Sequence, residues 1–290
     1  MWIAFTFLAA FMQAWRNAFQ SKLSRDVNVA GVTLARFIVA GPIAACYLGV
    51  LYQLNTVPPI AFNQSFYLYV IQASVMQIIA TALMVKLFTL KNYAIGAGLA
   101  KSEAIVAAVL GLLFFGTLLS PLAWVGVIIG ALAVLVLSGV NSNQGVSLAT
   151  VLLGLACGSA FALTSLSVRE ASLQLDGPFV VRAAWVLLSV ISVQTTLLVS
   201  YLLLKDRQTL VKLWQFRRLT LAISVSSCIG SIGWFSAMAL ESVPLVKTLG
   251  QIEVFFMLLI GKYWLKQGNS KDDVLGLVLI AIAAILVMWG

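Results

Sequence analysis

Two glutamates lie deep in apolar sequence at matched positions of the chain. Glu103 and Glu253 are 150 residues apart, each is followed eight residues later by a glycine, and the chain holds only four glutamates. A carboxylate in the hydrocarbon core costs about 2.5–3.5 kcal/mol on insertion scales, so such residues usually mark a substrate or proton pathway. We interpret the pair as groups that bind substrate or a proton. The alternative is a pair of structural carboxylates that each meet a Lys or Arg of a neighbouring helix.

Basic and amide side chains accompany both glutamates. Lys247 and Gln251 are four residues apart and therefore share one helix face close to Glu253. Lys101 comes two residues before Glu103, so the two side chains cannot share a narrow face. We include Lys101, Lys247 and Gln251 in the predicted binding site.

Two arginines also occupy matched positions. Arg36 and Arg182 are related by a shift of 146 residues, as are Gly31 and Gly177. Arginines close to span ends often only extend their charged heads to the headgroup level. Each arginine is therefore either an anchor or a contact for substrate or a midspan glutamate. Since the cations outnumber the carboxylates, the site favours a zwitterion or an organic anion over a lipophilic dication.

A third set of residues has the spacing expected of a polar cavity. Gln77 and Thr81 repeat at i, i+4 under a shift of 150 residues as Ser227 and Ser231. Such residues line cavities or form hydrogen bonds between helices, and tryptophans far from span ends either form aromatic walls or pack in the core. The predicted lining residues are Trp15, Asn17, Gln77, Thr81, Ser227 and Trp234.

No pattern in the chain predicts catalysis. Histidine is absent, and no serine or cysteine occupies a nucleophile motif. The three cysteines, Cys46, Cys157 and Cys228, have no paired spacing that would indicate a disulfide or a metal site. We expect no catalytic residue, metal or cofactor.

The composition indicates the class of protein in which these side chains lie. Of 290 residues, 62% are hydrophobic and 9% are charged, whereas soluble domains carry about 25% charged residues. The net charge of +9 gathers at the ends of apolar segments, which is typical of membrane topology and not of nucleic-acid binding. The chain is predicted to be an all-α integral membrane protein.

Ten apolar segments are long enough to cross a bilayer, which requires about 20 helical residues. We interpret the first of them as a span and not as a secretory signal, because it lacks a basic start. The predicted spans cover residues 2–20, 31–53, 66–88, 93–115, 121–139, 147–167, 178–204, 218–239, 243–264 and 272–289.

The two halves of the chain resemble each other. An ungapped shift of 150 residues places Glu103 on Glu253 and Gly126 on Gly276. This predicts two repeats of five helices, residues 1–140 and 146–290. Because five is odd, the second repeat enters the membrane inverted, the architecture in which a midplane site is exposed alternately to each side.

The chain resembles the drug/metabolite transporter (DMT) superfamily, of the EamA-like ten-helix kind. Segments Leu99–Ala104 and Leu249–Val254 are similar to the glutamate-bearing fourth and ninth helices of that family, and Trp124–Gly126 and Leu275–Leu277 to its glycine-containing fifth and tenth. The family often has a further acidic residue where the fourth and ninth spans end. Here those places read Phe-Gly-Thr at 115–117 and Leu-Lys-Gln at 265–267, so no role of that carboxylate carries over.

The expected function is secondary active transport of a small polar metabolite, such as an amino acid, a related zwitterion or an organic anion, by alternating access, with or without proton coupling. The alternatives are a proton-driven exporter of drugs or amphiphilic cations, and a lipid-handling or scaffold protein that transports nothing. Expected partners are the small-molecule substrate, membrane lipids and a second copy of the chain in a homodimer. The expected location is a plasma membrane, with the bacterial inner membrane as the favoured case. The basic loops place both termini outside, whereas the resemblance places them in the cytoplasm.

Overall fold

The structure is a computed structural model that describes residues 1–90, 100, 102–137, 148–264 and 271–289. Within these ranges the secondary structure is helical and contains no β-strand. The helices are α1 Trp2–Leu23, α2 Val29–Ala35, α3 Ala40–Leu54, α4 Gln64–Leu90, α5 Glu103–Phe115, α6 Pro121–Leu137, α7 Leu148–Leu173, α8 Phe179–Lys205, α9 Arg207–Gln215, α10 Arg217–Leu240, α11 Val243–Leu249, a 3₁₀ turn Gly250–Ile252, α12 Glu253–Tyr263 and α13 Lys271–Trp289.

Several of these helices are membrane-spanning by length and composition. Among the described residues, six segments are long and apolar enough to cross a bilayer: Val29–Leu54, Gln64–Thr89, Leu152–Leu173, Phe179–Lys205, Arg217–Leu240 and Val243–Tyr263. This result confirms the prediction of an all-α, multi-pass membrane protein. The count of ten spans stays a prediction. Helix α1 is not among the six, because Gln13, Arg16, Asn17 and Gln20 lower its hydropathy.

The helix ends follow local sequence signals. Helix α5 ends at Gly116, whose positive φ of 61° suits a residue without a side chain. Helix α6 begins at Pro121, where the Ser120 hydroxyl accepts the Ala123 N–H at 3.0 Å. Gly177, with φ of 105°, precedes α8. These boundaries agree with the predicted ones because Gly, Pro and Ser act locally.

The predicted second span, 31–53, is interrupted between α2 and α3. The residues from Arg36 to Val39 form turns instead of continuing the α-helix. Ser224 of α10 bridges the break: its hydroxyl donates to Ala35 O at 2.6 Å and accepts the Val39 N–H at 3.3 Å. The backbone groups freed by the break are thus bonded by a neighbouring helix, as burial in a membrane requires.

The segment 205–217, which separates the predicted spans 178–204 and 218–239, contains helix α9. Asp206 caps this helix by accepting the Thr209 N–H at 3.2 Å and the Thr209 hydroxyl at 2.7 Å. Asn28, at the start of α2, donates a hydrogen bond to the same carboxylate at 2.7 Å. Because these bonds favour the charged form, with those from Thr209 contributing most, the pKa of Asp206 lies below its ordinary value.

Helix pairs with very close backbones frame the interior. Helix α1 packs along α10, α4 along α7, and α6 along α13. A Cβ atom added at Gly233 of α10 would lie 2.7 Å from Phe5 O, and one at Gly126 of α6 would lie 3.0 Å from Ala283 O. Small residues therefore permit these contacts, as is common between membrane helices.

Candidate functional site

Glu103 and Glu253 line the same cavity. Their side chains are brought together by α5 and α12, and the residues are 7% and 0% exposed. The cavity volume is about 30 Å³. Because one water needs about 10–15 Å³ on this measure, the cavity has room for about two waters. A metabolite would require the surrounding helices to move apart.

Glu103 forms an ion pair with a residue from the second half of the chain. Lys247 Nζ lies 2.8 Å from Glu103 Oε1, and both side chains are at least nine-tenths buried. The Ser165 hydroxyl of α7 donates to the same oxygen at 2.9 Å. The carboxylate is therefore held by a cation and a neutral donor, which offset part of its desolvation cost.

Trp234 connects this ion pair to the second glutamate. Lys247 Nζ lies 4.2 Å from the centroid of the Trp234 ring, within the range of a cation–π interaction. The Trp234 indole N–H donates to Gln13 Oε1 at 2.8 Å, and Gln13 Nε2 donates to Glu253 Oε2 at 2.6 Å. The two carboxylates thus belong to one continuous polar network.

Two amides of α1 bind the two oxygens of Glu253. Gln13 binds Oε2, and Asn17 Nδ2 donates to Oε1 at 2.7 Å. Arg16 in turn donates to Asn17 Oδ1, with Nη2 at 2.7 Å. Since Gln13 and Asn17 are separated by one helical turn, both amides reach the same carboxylate.

Arg36 is the second cation in the cavity wall. It is 2% exposed, and its Nη1 and Nε donate to Thr81 Oγ1 at 2.8 Å and to Ser227 Oγ at 3.0 Å. The break that follows α2 places this arginine in the interior instead of at the headgroup level. Thr81 and Ser227, predicted to line the cavity, instead fix the guanidinium, while Gln77 and Ser231 line the cavity itself.

Both glutamates are the first residues of an α-helix. Helix α5 begins at Glu103, and α12 begins at Glu253 directly after the 3₁₀ turn Gly250–Ile252. A helix N-terminus stabilises negative charge near it. Gly250 is required at this turn, because a Cβ atom there would overlap the Trp234 ring.

Several predicted site residues lie elsewhere. Gln251 is fully buried but faces α6, where Gly130 leaves space for its amide. Lys247 lines the cavity and Gln251 does not, so the predicted shared stripe is wrong. Arg182 is half-buried close to Arg169 and does not line the cavity. Trp15 packs against Phe19 and Trp264, with centroids 5.6 and 5.7 Å apart.

Of the remaining predictions, Asn17, Gln77 and Trp234 line the cavity. Lys101 falls outside the described residues. Gln13 and Ser165 were not among the predicted site residues. The spacing of Gln13 and Asn17, two amides one turn apart in an apolar segment, is a signal that could have identified the first. Ser165 is one of many serines in apolar sequence, and no local pattern distinguishes it.

No family model matches the chain, and no curated protein does. The fold does resemble solved structures. One of them, described only as "Crystal structure of protein", has a TM-score of 0.72 and 14% sequence identity over 98% of both chains. At this identity the similarity shows a shared fold over the whole length.

Proposed function

We propose that the protein is a secondary active transporter of a small polar metabolite, built from ten spans as two inverted repeats in the EamA-like manner. The packing of the helices supports the repeat. If each half is exchanged for the other, the α1–α10 contact becomes the α4–α7 contact, and the α6–α13 contact is retained. The bonds to the glutamates exchange in the same way, because Asn17 of the first half binds Glu253 and Ser165 of the second half binds Glu103.

The observation that carries the proposal is the shared cavity of Glu103 and Glu253, with Lys247 paired to Glu103. Glu253 lies where the α-helix resumes after a 3₁₀ turn, and Glu103 is the first residue of α5. Discontinuous helices of this kind form substrate and ion sites near the midplane of transporters with inverted repeats. In such a protein, relative movement of the halves opens the site to each side in turn.

The charges favour a zwitterion as substrate. Lys247 places an ammonium group between the Glu103 carboxylate and the Trp234 ring. A substrate ammonium has the same charge and hydrogen-bonding chemistry and would replace Lys247 in this position. The released Lys247, together with Arg36 in the same wall, would then bind the substrate carboxylate. Amino acids and related zwitterions meet both requirements.

The test is uptake by purified protein in liposomes, with Glu103→Gln and Glu253→Gln compared with wild type for a panel of amino acids and organic cations. Glu170→Gln is the matched control, because this partly buried glutamate of α7 does not line the cavity. We expect both cavity variants to lose transport about tenfold or more and the control to retain it. Wild-type transport by both variants would exclude the glutamates from the mechanism.

A second candidate function is proton-driven export of amphiphilic cations. It is favoured by the Trp234 ring beside a carboxylate, an arrangement that also suits a quaternary or aromatic ammonium. The same panel separates the two functions. Transport of cations without a carboxylate, together with failure of amino acids to compete, would support the exporter. Absence of transport for every solute would favour a structural role for the charges. A plasma membrane, such as the bacterial inner membrane, is the proposed location for either transporter.

A further inference from the structure

A basic amphipathic segment lies outside the proposed transport site. Helix α9 connects the end of span Phe179–Lys205 to the start of span Arg217–Leu240, so it lies at one membrane interface. Its Leu213 is buried, whereas Trp214 is 72% exposed. The segment is rich in positive charge, with Asp206 as its single carboxylate. Its basic residues are Lys205, Arg207, Lys212, Arg217 and Arg218.

Two neighbouring cavities meet at Arg217 and Arg218. The first has a volume of about 430 Å³ and walls that are mostly apolar, including Ile38, Leu210 and Leu221. The second, of about 610 Å³, is more polar. Both arginines line both cavities and are exposed. Among the described residues, no carboxylate forms an ion pair with Arg217 or Arg218.

The apolar cavity reaches into the depth of the bilayer. Ile38 lies in the turns that follow α2, and the seven residues of this helix, Val29–Ala35, span about 10 Å along the helix axis. The Arg217 guanidinium lies 5.8 Å from the centroid of the exposed Trp214 ring. A charged, aromatic rim is therefore continuous with an apolar wall that extends towards the membrane interior.

We propose that this groove binds an anionic phospholipid. The phosphate group is held by Arg217 and Arg218, and one acyl chain lies along Leu221 and Leu210 towards Ile38. Charge complementarity selects the headgroup, because basic residues at an interface attract anionic lipids. A soluble phosphate would pair with the arginines but would leave the apolar wall uncovered. Since a lipid would also cover this wall with an acyl chain, the groove favours a lipid.

The test is native mass spectrometry of the full-length protein in detergent, with dioleoyl phosphatidylglycerol and dioleoyl phosphatidylcholine added in equal amounts. Glycerol 1-phosphate is the headgroup control without acyl chains. We expect one phosphatidylglycerol to be retained in preference to phosphatidylcholine. The Arg217→Gln/Arg218→Gln variant should weaken its retention about tenfold or more, since it removes both direct charge-assisted hydrogen bonds to the phosphate, each worth about tenfold or more.

Arg207→Gln/Lys212→Gln is the matched control, because it removes the same charge from the same segment without touching the apolar cavity. Leu221→Asn keeps the charge and shortens the apolar wall. It should therefore weaken the binding of phosphatidylglycerol and leave any binding of glycerol 1-phosphate unchanged. Equal retention of both lipids would overturn the proposal, as would equal losses in the two double variants. Circular dichroism of each variant verifies that the helices are intact.

Discussion

The ammonium group of Lys247 lies 2.8 Å from Glu103 Oε1 and joins the two halves of the chain inside one cavity. Both ions are buried, and each compensates the desolvation of the other. The same ammonium faces the Trp234 ring. Trp234 donates a hydrogen bond to Gln13, which in turn donates one to Glu253. In the proposed transport cycle, a movement that separates the halves must break this pair or exchange Lys247 for a substrate cation.

The first prediction concerns the energy of this ion pair. Glu103→Gln or Lys247→Met alone should reduce the free energy of unfolding by about 3–5 kcal/mol, because each leaves an uncompensated buried charge. The double variant should lose less than the sum of the single variants. Denaturant titration in detergent micelles measures the three differences. Strictly additive losses would mean that the two side chains do not interact.

A matched control for this cycle is Ser165→Ala. It removes the neutral hydrogen bond to the same oxygen of Glu103 and leaves the ion pair intact. The expected loss is about 1 kcal/mol, well below that of either charge variant. A loss as large as that of Lys247→Met would assign the stability to the hydroxyl network instead of the ion pair.

The second prediction concerns the contact between α1 and α10. Gly233→Ala places a methyl group 2.7 Å from Phe5 O and 2.9 Å from Ala9 Cβ, and this backbone can move only with the whole of α1. We expect a loss of about 1–3 kcal/mol in unfolding free energy. Because α1 carries Gln13 and Asn17, transport should fall as well.

Gly49→Ala is the control for this variant. No atom lies within 4 Å of a Cβ added at Gly49, and alanine favours a helix by up to about 1 kcal/mol over glycine. The control should therefore be unchanged or slightly stabilised in the same denaturant titration. Equal effects of the two substitutions would contradict the close packing of α1 and α10.

The third prediction concerns pH. The pKa of Asp206 is lowered in the folded state, mainly by its hydrogen bonds from Thr209 and then from Asn28. A lowered folded pKa means that the stabilisation is fully present above the unfolded value, about 3.9, and is lost as the pH falls through the folded value. Asp206→Asn should therefore lower the Tm at pH 7, and the difference from wild type should shrink below about pH 4.

The Tm is followed by thermal unfolding in detergent across this pH range. Asp176→Asn is the control, because the described residues provide no hydrogen-bond partner for that exposed carboxylate. It should leave the Tm at pH 7 unchanged, as is usual for an exposed surface substitution. A difference between wild type and Asp206→Asn that stays constant down to pH 2 would contradict the role of the charged form.

Features encoded by local chemistry were predictable from the sequence. Pro121 and Gly116 mark helix ends, and the matched spacing of Glu103 and Glu253 identified both carboxylates of the cavity. The break in the helix at Arg36–Val39 was not predictable. The hydrogen bonds to its free backbone groups come from Ser224, which is far away in the sequence. The direction of Gln251 was missed for a related reason: the space that its amide occupies is left by Gly130 of α6, which is far away in the sequence.

The fourth prediction separates two arginines that the sequence treats as equivalent. Arg36 lines the cavity and bonds Thr81 and Ser227 with two different nitrogens, whereas Arg182 lies close to Arg169 and away from the cavity. A lysine has one ammonium group and cannot reproduce the planar, two-pronged geometry. Arg36→Lys should therefore lower the uptake of substrate in liposomes about tenfold or more, and it should cost about 1–3 kcal/mol of stability through the unpaired hydroxyls.

Arg182→Lys makes the same chemical change at the matched position and should leave uptake close to that of wild type. If the two variants lost transport equally, both arginines would act on the substrate path, and the cavity around Glu103 and Glu253 would describe only part of the site.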